Sequence, residues 1–218
     1  MALSKVDYNS LNVTPAASKA LKWNSGADGF ETGDVAGALV LLETKTADDD
    51  STITFDSNID STYKEYIFKL IDIHPANDDV ELNVNFRDGS TAYDATKTSS
   101  CFSQSHYESG SANYLQYDAG HDLAQATGIQ PIVTNTSKGS IEDGSVCGTL
   151  HLFNPSSTTF VTHYMVTTQF MANDGANAFS ENAYTAGYCN VTAAIDGVQF
   201  AYSAGNIDAG TFKMYGVK

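Results

Sequence analysis

Hydrophobic and polar residues alternate with a period of two through much of this chain. In YKEYIFKLIDIH, Tyr63, Glu65, Ile67, Lys69 and Ile71 fall on one side and Tyr66, Phe68, Leu70 and Asp72 on the other. In VELNVNFRDGS, Val80, Leu82, Val84 and Phe86 oppose Glu81, Asn83 and Asn85, and Asp88-Gly89 ends the run. Period two marks a strand with one buried face. The same reading predicts strands in VAGALVLLETKT, DDDSTITFDSNI, TKTSSCFSQSHY, GSVCGTLHLFNP, TTFVTHYMVTTQF and AYTAGYCNVT. The chain then closes on two more. Val198, Phe200 and Tyr202 alternate with Gln199, Ala201 and Ser203, the turn-forming Gly205, Asn206, Asp208 and Gly210 follow, and Thr211, Lys213 and Tyr215 alternate with Phe212, Met214 and Gly216.

Little else in the pattern is regular. HDLAQATG is the one helical candidate in the middle of the chain, and SHYESGSANYLQYDAG reads as loop. Near the start, TPAASKALKW predicts one or two helical turns with Thr14 as N-cap and Pro15 at the first helical position, before a loop in NSGADGFETGD. About ten strands separated by turn signals predict an all-β protein, a two-sheet β-sandwich of jelly-roll-like type. Its expected bounds are residues 35–218. Residues 1–34 hold few core-forming side chains and read as an N-terminal arm laid on a neighbour, or as a flap over its own domain.

Charge narrows the partners. The formal net charge of -15 opposes direct binding to nucleic acid, which needs a basic stripe, and to anionic membrane surfaces. The longest apolar run, VAGALVLL, is far short of the roughly twenty residues of a membrane span. The N-terminus carries no long apolar stretch, so synthesis in a cytoplasm without a signal peptide is expected.

Candidate chemistry is sparse. Cys101, Cys147 and Cys189 form no close pair and read as buried small hydrophobes. His151 and His163 lie on predicted strands flanking one turn, but no third metal ligand can be placed, and His121-Asp122 are sequence neighbours that do not face each other. GSVCG, residues 144–148, is not the G-x-S-x-G of a nucleophile elbow. Asp48, Asp49, Asp50, Asp56, Asp60, Asp78 and Asp79 fall at loops or strand ends, where carboxylates are solvated. No phosphate loop or dinucleotide fingerprint is present. No catalytic residue, metal or cofactor is expected. Tyr107, Tyr114 and Tyr117 remain, either as rings that stack on sugars or as ordinary strand tyrosines.

Four blocks in order, residues 9–42 (NSLNVTPAASKALKWNSGADGFETGDVAGALVLL), 58–87 (NIDSTYKEYIFKLIDIHPANDDVELNVNFR), 148–164 (GTLHLFNPSSTTFVTHY) and 205–218 (GNIDAGTFKMYGVK), make the chain similar to a family of structural proteins of tailed bacteriophages, especially marine and cyanobacterial phages. The resemblance runs nearly end to end. It implies a virion protein, made in the host cytoplasm, whose partners are other virion proteins, the major capsid protein or tail proteins. It implies no enzyme and no catalytic residues. Its leading form is a capsid decoration, or cement, protein gripping the shell by its arm, with Leu11, Val13, Leu21 and Trp23 as anchors. The alternative is a tail-fibre or receptor-binding module that recognises host glycans through Tyr107, Tyr114 and Tyr117. Either form implies a homo-oligomer, with a trimer the first expectation.

Overall fold

The structure, a computed structural model, describes residues 19–33, 39–133, 144–173 and 177–218. The anchors Leu11 and Val13, and the helical start at Thr14 and Pro15, lie outside the described residues. The chain divides into two compact units, one ending at Leu39 and the other running from Val40 to Val217.

The first unit contains an antiparallel hairpin of β1 (Ala20–Trp23) and β2 (Phe30–Gly33). The helical reading of TPAASKALKW is therefore corrected over Ala20–Trp23, and so is the loop reading of Phe30–Gly33. The cause is a partner strand that local propensity does not reveal. Asn24 N–H donates to the Gly29 carbonyl at 2.9 Å, with Ala27 in the left-handed region at φ 55°. That closure places Trp23 opposite Phe30, ring centroids 4.4 Å apart and stacked, and Lys22 opposite Glu31 at 3.2 Å.

The second unit is built from β3 (Leu39–Asp50), β4 (Ile53–Phe55), β5 (Glu65–Pro75), β6 (Leu82–Arg87), β7 (Lys97–Tyr107), β8 (Asn113–Tyr117), β9 (Gln130–Pro131), β10 (Val146–Phe153), β11 (Thr162–Asn173), β12 (Ala178–Cys189), β13 (Gly197–Tyr202) and β14 (Ile207–Val217). An eight-stranded sheet has the order β3-β14-β5-β10-β11-β12-β7-β8, and a four-stranded sheet the order β4-β13-β6-β9. Four neighbouring pairs are nested in the sequence: β3 with β14, β4 with β13, β5 with β10 and β6 with β9, falling alternately in the large and small sheets. One long antiparallel ribbon rolled around a core produces this order, which is the jelly roll. Two hairpins interrupt the ribbon: β7–β8 sits between β6 and β9, and β11–β12 between β10 and β13. Both join the large sheet and widen it beyond the four strands of the roll.

The core lies between the sheets. Tyr66, Phe68 and Leu70 of β5, Leu150 and Leu152 of β10, Tyr164, Val166 and Phe170 of β11, and Phe212 and Met214 of β14 face Leu82, Val84 and Phe86 of β6 and Val198 and Phe200 of β13, all buried. The alternation expected in TTFVTHYMVTTQF appears along β11, where Tyr164, Val166, Thr168 and Phe170 are buried and His163, Met165, Thr167 and Gln169 are exposed. Small residues are needed where rings pass close. A Cβ on Gly187 would sit 2.7 Å from the Tyr164 hydroxyl and 2.5 Å from the Thr98 carbonyl.

Several local expectations are corrected. Asp72 adopts φ 55° and the pairing of β5 with β10 slips there, so Ile73 rather than Asp72 takes the buried place. A bulge of this kind inserts one residue and resets the alternation. The final turn is shorter than predicted, because β14 starts at Ile207 and Gly210 lies inside it against the Asp72 bulge. HDLAQATG is not helical. Its backbone is used by β7 instead: Leu123 O accepts from Ser99 N–H and Ala126 O from Lys97 N–H, while Gln125 sits at φ 51°. Asn83 and Asn85, expected opposite the core face of β6, are buried. Cys101 and Cys189 are buried as expected, but Cys147 is exposed, on the face of β10 opposite Leu150 and Leu152.

Candidate functional site

Two exposed apolar surfaces stand out, one in each unit. The hairpin displays Leu21 at 45%, Trp23 at 60% and Phe30 at 38% exposure. None of the three belongs to the buried core. A lone two-stranded hairpin is marginally stable in water, and three large apolar side chains on it are a feature that a partner's surface would cover.

The second surface is the outer face of the large sheet. Directly opposed residues in an antiparallel pair share a face. Tyr117 of β8 pairs with Phe102 of β7, and Phe102 with Tyr184 of β12, so these three rings form a row across three strands. Phe102 and Tyr184 stack at 4.9 Å with an interplanar angle of 11°. The next row is floored by Ser100 and Ala186 and ends at the exposed Met165. The row beyond carries Tyr188 and His163, with ring centroids 6.1 Å apart. Rows on one face of a sheet repeat about every 7 Å. Small side chains between two aromatic rows therefore leave a furrow, of about 180 Å³ against Phe102 and Tyr184 and about 520 Å³ against Tyr188, His163 and Phe153. Its rim is hydroxyl-bearing, with Thr98, Ser100 and Thr167, and among the described residues no carboxylate, lysine or arginine lines it.

The tyrosines singled out by sequence do not converge. Tyr114 and Tyr117 stand on strand β8 rather than in a loop, which corrects the loop reading of that segment. Tyr107 stacks on buried Phe179 at 4.9 Å and meets Tyr114 edge-on at 6.1 Å. Tyr117 belongs to the opposite face, with Phe102 and Tyr184. Sequence reasoning missed Phe102, Tyr184, Met165 and Tyr188. Period two puts each on the outward side of its strand, but only strand order puts them beside one another.

The start of the loop after β8 is held by a histidine clamp. His121 makes contacts of 2.9 Å from Nδ1 to Asp118 and 3.0 Å from Nε2 to Glu81, while Asp122, its sequence neighbour, accepts the Tyr117 hydroxyl instead. Burial by itself lowers the imidazole pKa, but the hydrogen bonds and charges of Asp118 and Glu81 more than offset it, and the net shift is upward from 6.5. A raised folded-state value stabilises the fold fully below the unfolded value, and that contribution is lost as pH rises through the folded one. His121→Asn is therefore expected to lower Tm more at pH 5.5 than at pH 8.5. An equal loss at both pH values would show that the charged form does not hold this loop.

The other histidines stand apart. His151 contacts Glu65 at 2.6 Å and stacks on Phe153, and His74 contacts Asp72 at 3.3 Å. Among the described residues no three His, Cys, Asp or Glu side chains are grouped as a metal site would require. No helix among the described residues is long and apolar enough to cross a membrane. No family model, no curated protein sequence and no solved structure matches this chain.

Proposed function

We propose that this protein is a structural component of a tailed-phage virion, a decoration protein that attaches to the capsid shell through its N-terminal segment. The observation that carries the reading is the hairpin with Leu21, Trp23 and Phe30 exposed on it. Aromatic and aliphatic anchors of this kind dominate binding energy when a partner covers them. The resemblance of four sequence blocks to phage structural proteins supplies the class of partner, and the jelly roll is an architecture that virus shell proteins use. A trimer remains the expected assembly.

A second reading is favoured by the furrow on the large sheet. Stacked rings above a shallow trough, a hydroxyl rim and no lining charge suit a neutral glycan, which presents apolar ring faces and hydroxyl edges. In that reading the protein is a tail-fibre or receptor-binding module. Immunogold labelling of purified virions with antibody to this chain separates the two. Label over the head is the expected result. Label confined to tail tips or fibres would replace decoration with host recognition, and virions without label would overturn both.

A further inference from the structure

A buried lysine and a buried asparagine meet where β6 of the small sheet hands over to β7 of the large one. Lys97 is fully buried and Asn85 nearly so. The Lys97 Nζ donates to Asn85 Oδ1 at 2.5 Å and to the Ala95 carbonyl at 2.8 Å. The carboxamide carbon lies one carbonyl bond, about 1.23 Å, beyond that oxygen. Nζ is therefore close to the separation of about 3–3.5 Å from which a nucleophile attacks.

The surroundings favour the reactive form of the amine. Burial pulls Lys97 from 10.5 down to about 8, against the opposing influence of Cys189, Asp94 and Asp88. About a tenth of such an amine is neutral at pH 7, against a few parts in ten thousand for an ordinary lysine. A desolvated, neutral lysine is a competent nucleophile. The pair is also pinned from both sides. Lys97 N–H and C=O bridge to Ala126, Ala95 N–H donates to the Phe86 carbonyl, and Asn85 is held in β6 opposite Gln199 of β13.

From this juxtaposition we infer that Lys97 and Asn85 form an intramolecular isopeptide bond. Neutral Nζ adds to the Asn85 carboxamide carbon, and the C–N bond to the side-chain nitrogen breaks. The proton that Nζ gives up passes to the departing nitrogen, which leaves as ammonia. The products are one secondary amide and one ammonia, with no change of oxidation state and no co-reactant. The bond ties the two sheets together across the segment 86–96, at the point where the first inserted hairpin leaves the roll.

The test is the mass of the purified full-length chain. A loss of about 17 Da, the mass of ammonia, from the sequence value is expected after incubation at pH 7.5. Succinimide formation at another asparagine gives the same loss, so the peptide map decides. Trypsin cuts after Arg87. The fragment ending there should be found covalently joined to a peptide in which Lys97 is uncut. Lys97→Met and Asn85→Ala should each keep the full sequence mass. A wild-type chain at sequence mass, with Lys97 cleaved normally and the two peptides separate, overturns the inference. So does a Lys97-containing peptide that is still joined to the fragment ending at Arg87 in the Asn85→Ala variant. The wild-type measurement decides the matter even where a variant fails to fold.

Discussion

Replacing Trp23 with alanine is expected to weaken attachment to purified capsid shells by about 30-fold or more, because a buried aromatic anchor contributes roughly 2 kcal/mol or more at an interface. Trp23 is 60% exposed in the isolated chain, so nothing in its own unit uses that ring surface fully. Its stacking partner Phe30 covers one side of the ring and holds it flat. A rigid aromatic loses little conformational freedom on docking. Leu21, on the same strand face by period two, extends the patch along β1. Co-sedimentation with shells, read over a concentration series, checks the expectation. Trp23, Leu21 and Phe30 take no part in the sandwich core, so the thermal transition of the variant should match that of the parent. Unchanged co-sedimentation would remove the hairpin from the interface and turn attention to the furrow.

Phe200→Ala is expected to destabilise the fold by about 3–5 kcal/mol, the usual loss for emptying a buried phenylalanine site. In a chain of this size that lowers Tm by roughly 6–20 °C. Phe200 is fully buried in β13 of the small sheet. It contacts Phe212 of β14 at 5.2 Å and Phe68 of β5 at 6.1 Å, both from the large sheet. Phe68 in turn meets Phe55 of β4 edge-on at 5.3 Å. One ring therefore bridges the two sheets at the centre of the roll, and its removal leaves a cavity walled by strands of both. Differential scanning calorimetry decides this. A fall of less than 2 °C would mean that the sheets repack around the gap, and that the bridge carries little of the stability. Should the Lys97–Asn85 bond form, it would constrain the unfolded chain as well, and comparison within the Lys97→Met background would isolate the packing contribution.

The strands were legible because a half-buried strand writes its period on the chain. β6, β7 and β10 fall within segments that alternation predicts, and β5, β11, β13 and β14 overlap theirs and run a few residues beyond them. The elements that escaped are the ones whose geometry depends on a partner. β1 looked helical because Ala20, Leu21 and Lys22 are good helix formers, and only β2 makes it a strand. β8 looked like loop because an edge strand exposed on both faces need not alternate, and all of Asn113–Tyr117 is exposed. β9 is two residues long, below any periodic signal. HDLAQATG carried a helical composition, yet its carbonyls were claimed by Ser99 and Lys97 of β7.

The candidate sites divide along the same line. Trp23 and Leu21 could be named from the sequence, since large apolar residues in a segment poor in core partners stand out against their neighbours. Phe102, Tyr184 and Tyr188 could not be grouped, and Tyr107 and Tyr117 could not be separated. Chain distance says nothing about rows that run across strands. Lys97 and Asn85 each looked like an ordinary polar position of a strand, and nothing local marks a lysine whose amine has lost its water.

The sequence by itself determined an all-β sandwich, most of its strands, the buried face of several of them and a strongly negative net charge. Period-two burial and net charge are local or additive properties, so they survive without coordinates. Tertiary structure alone decided the nested pairing that makes the roll, the two hairpins that widen one sheet, the furrow between aromatic rows and the meeting of a buried amine with a buried amide. Each of these joins residues from separate strands, and the closure of the sheets over a common core, rather than any local preference, fixes which strands become neighbours.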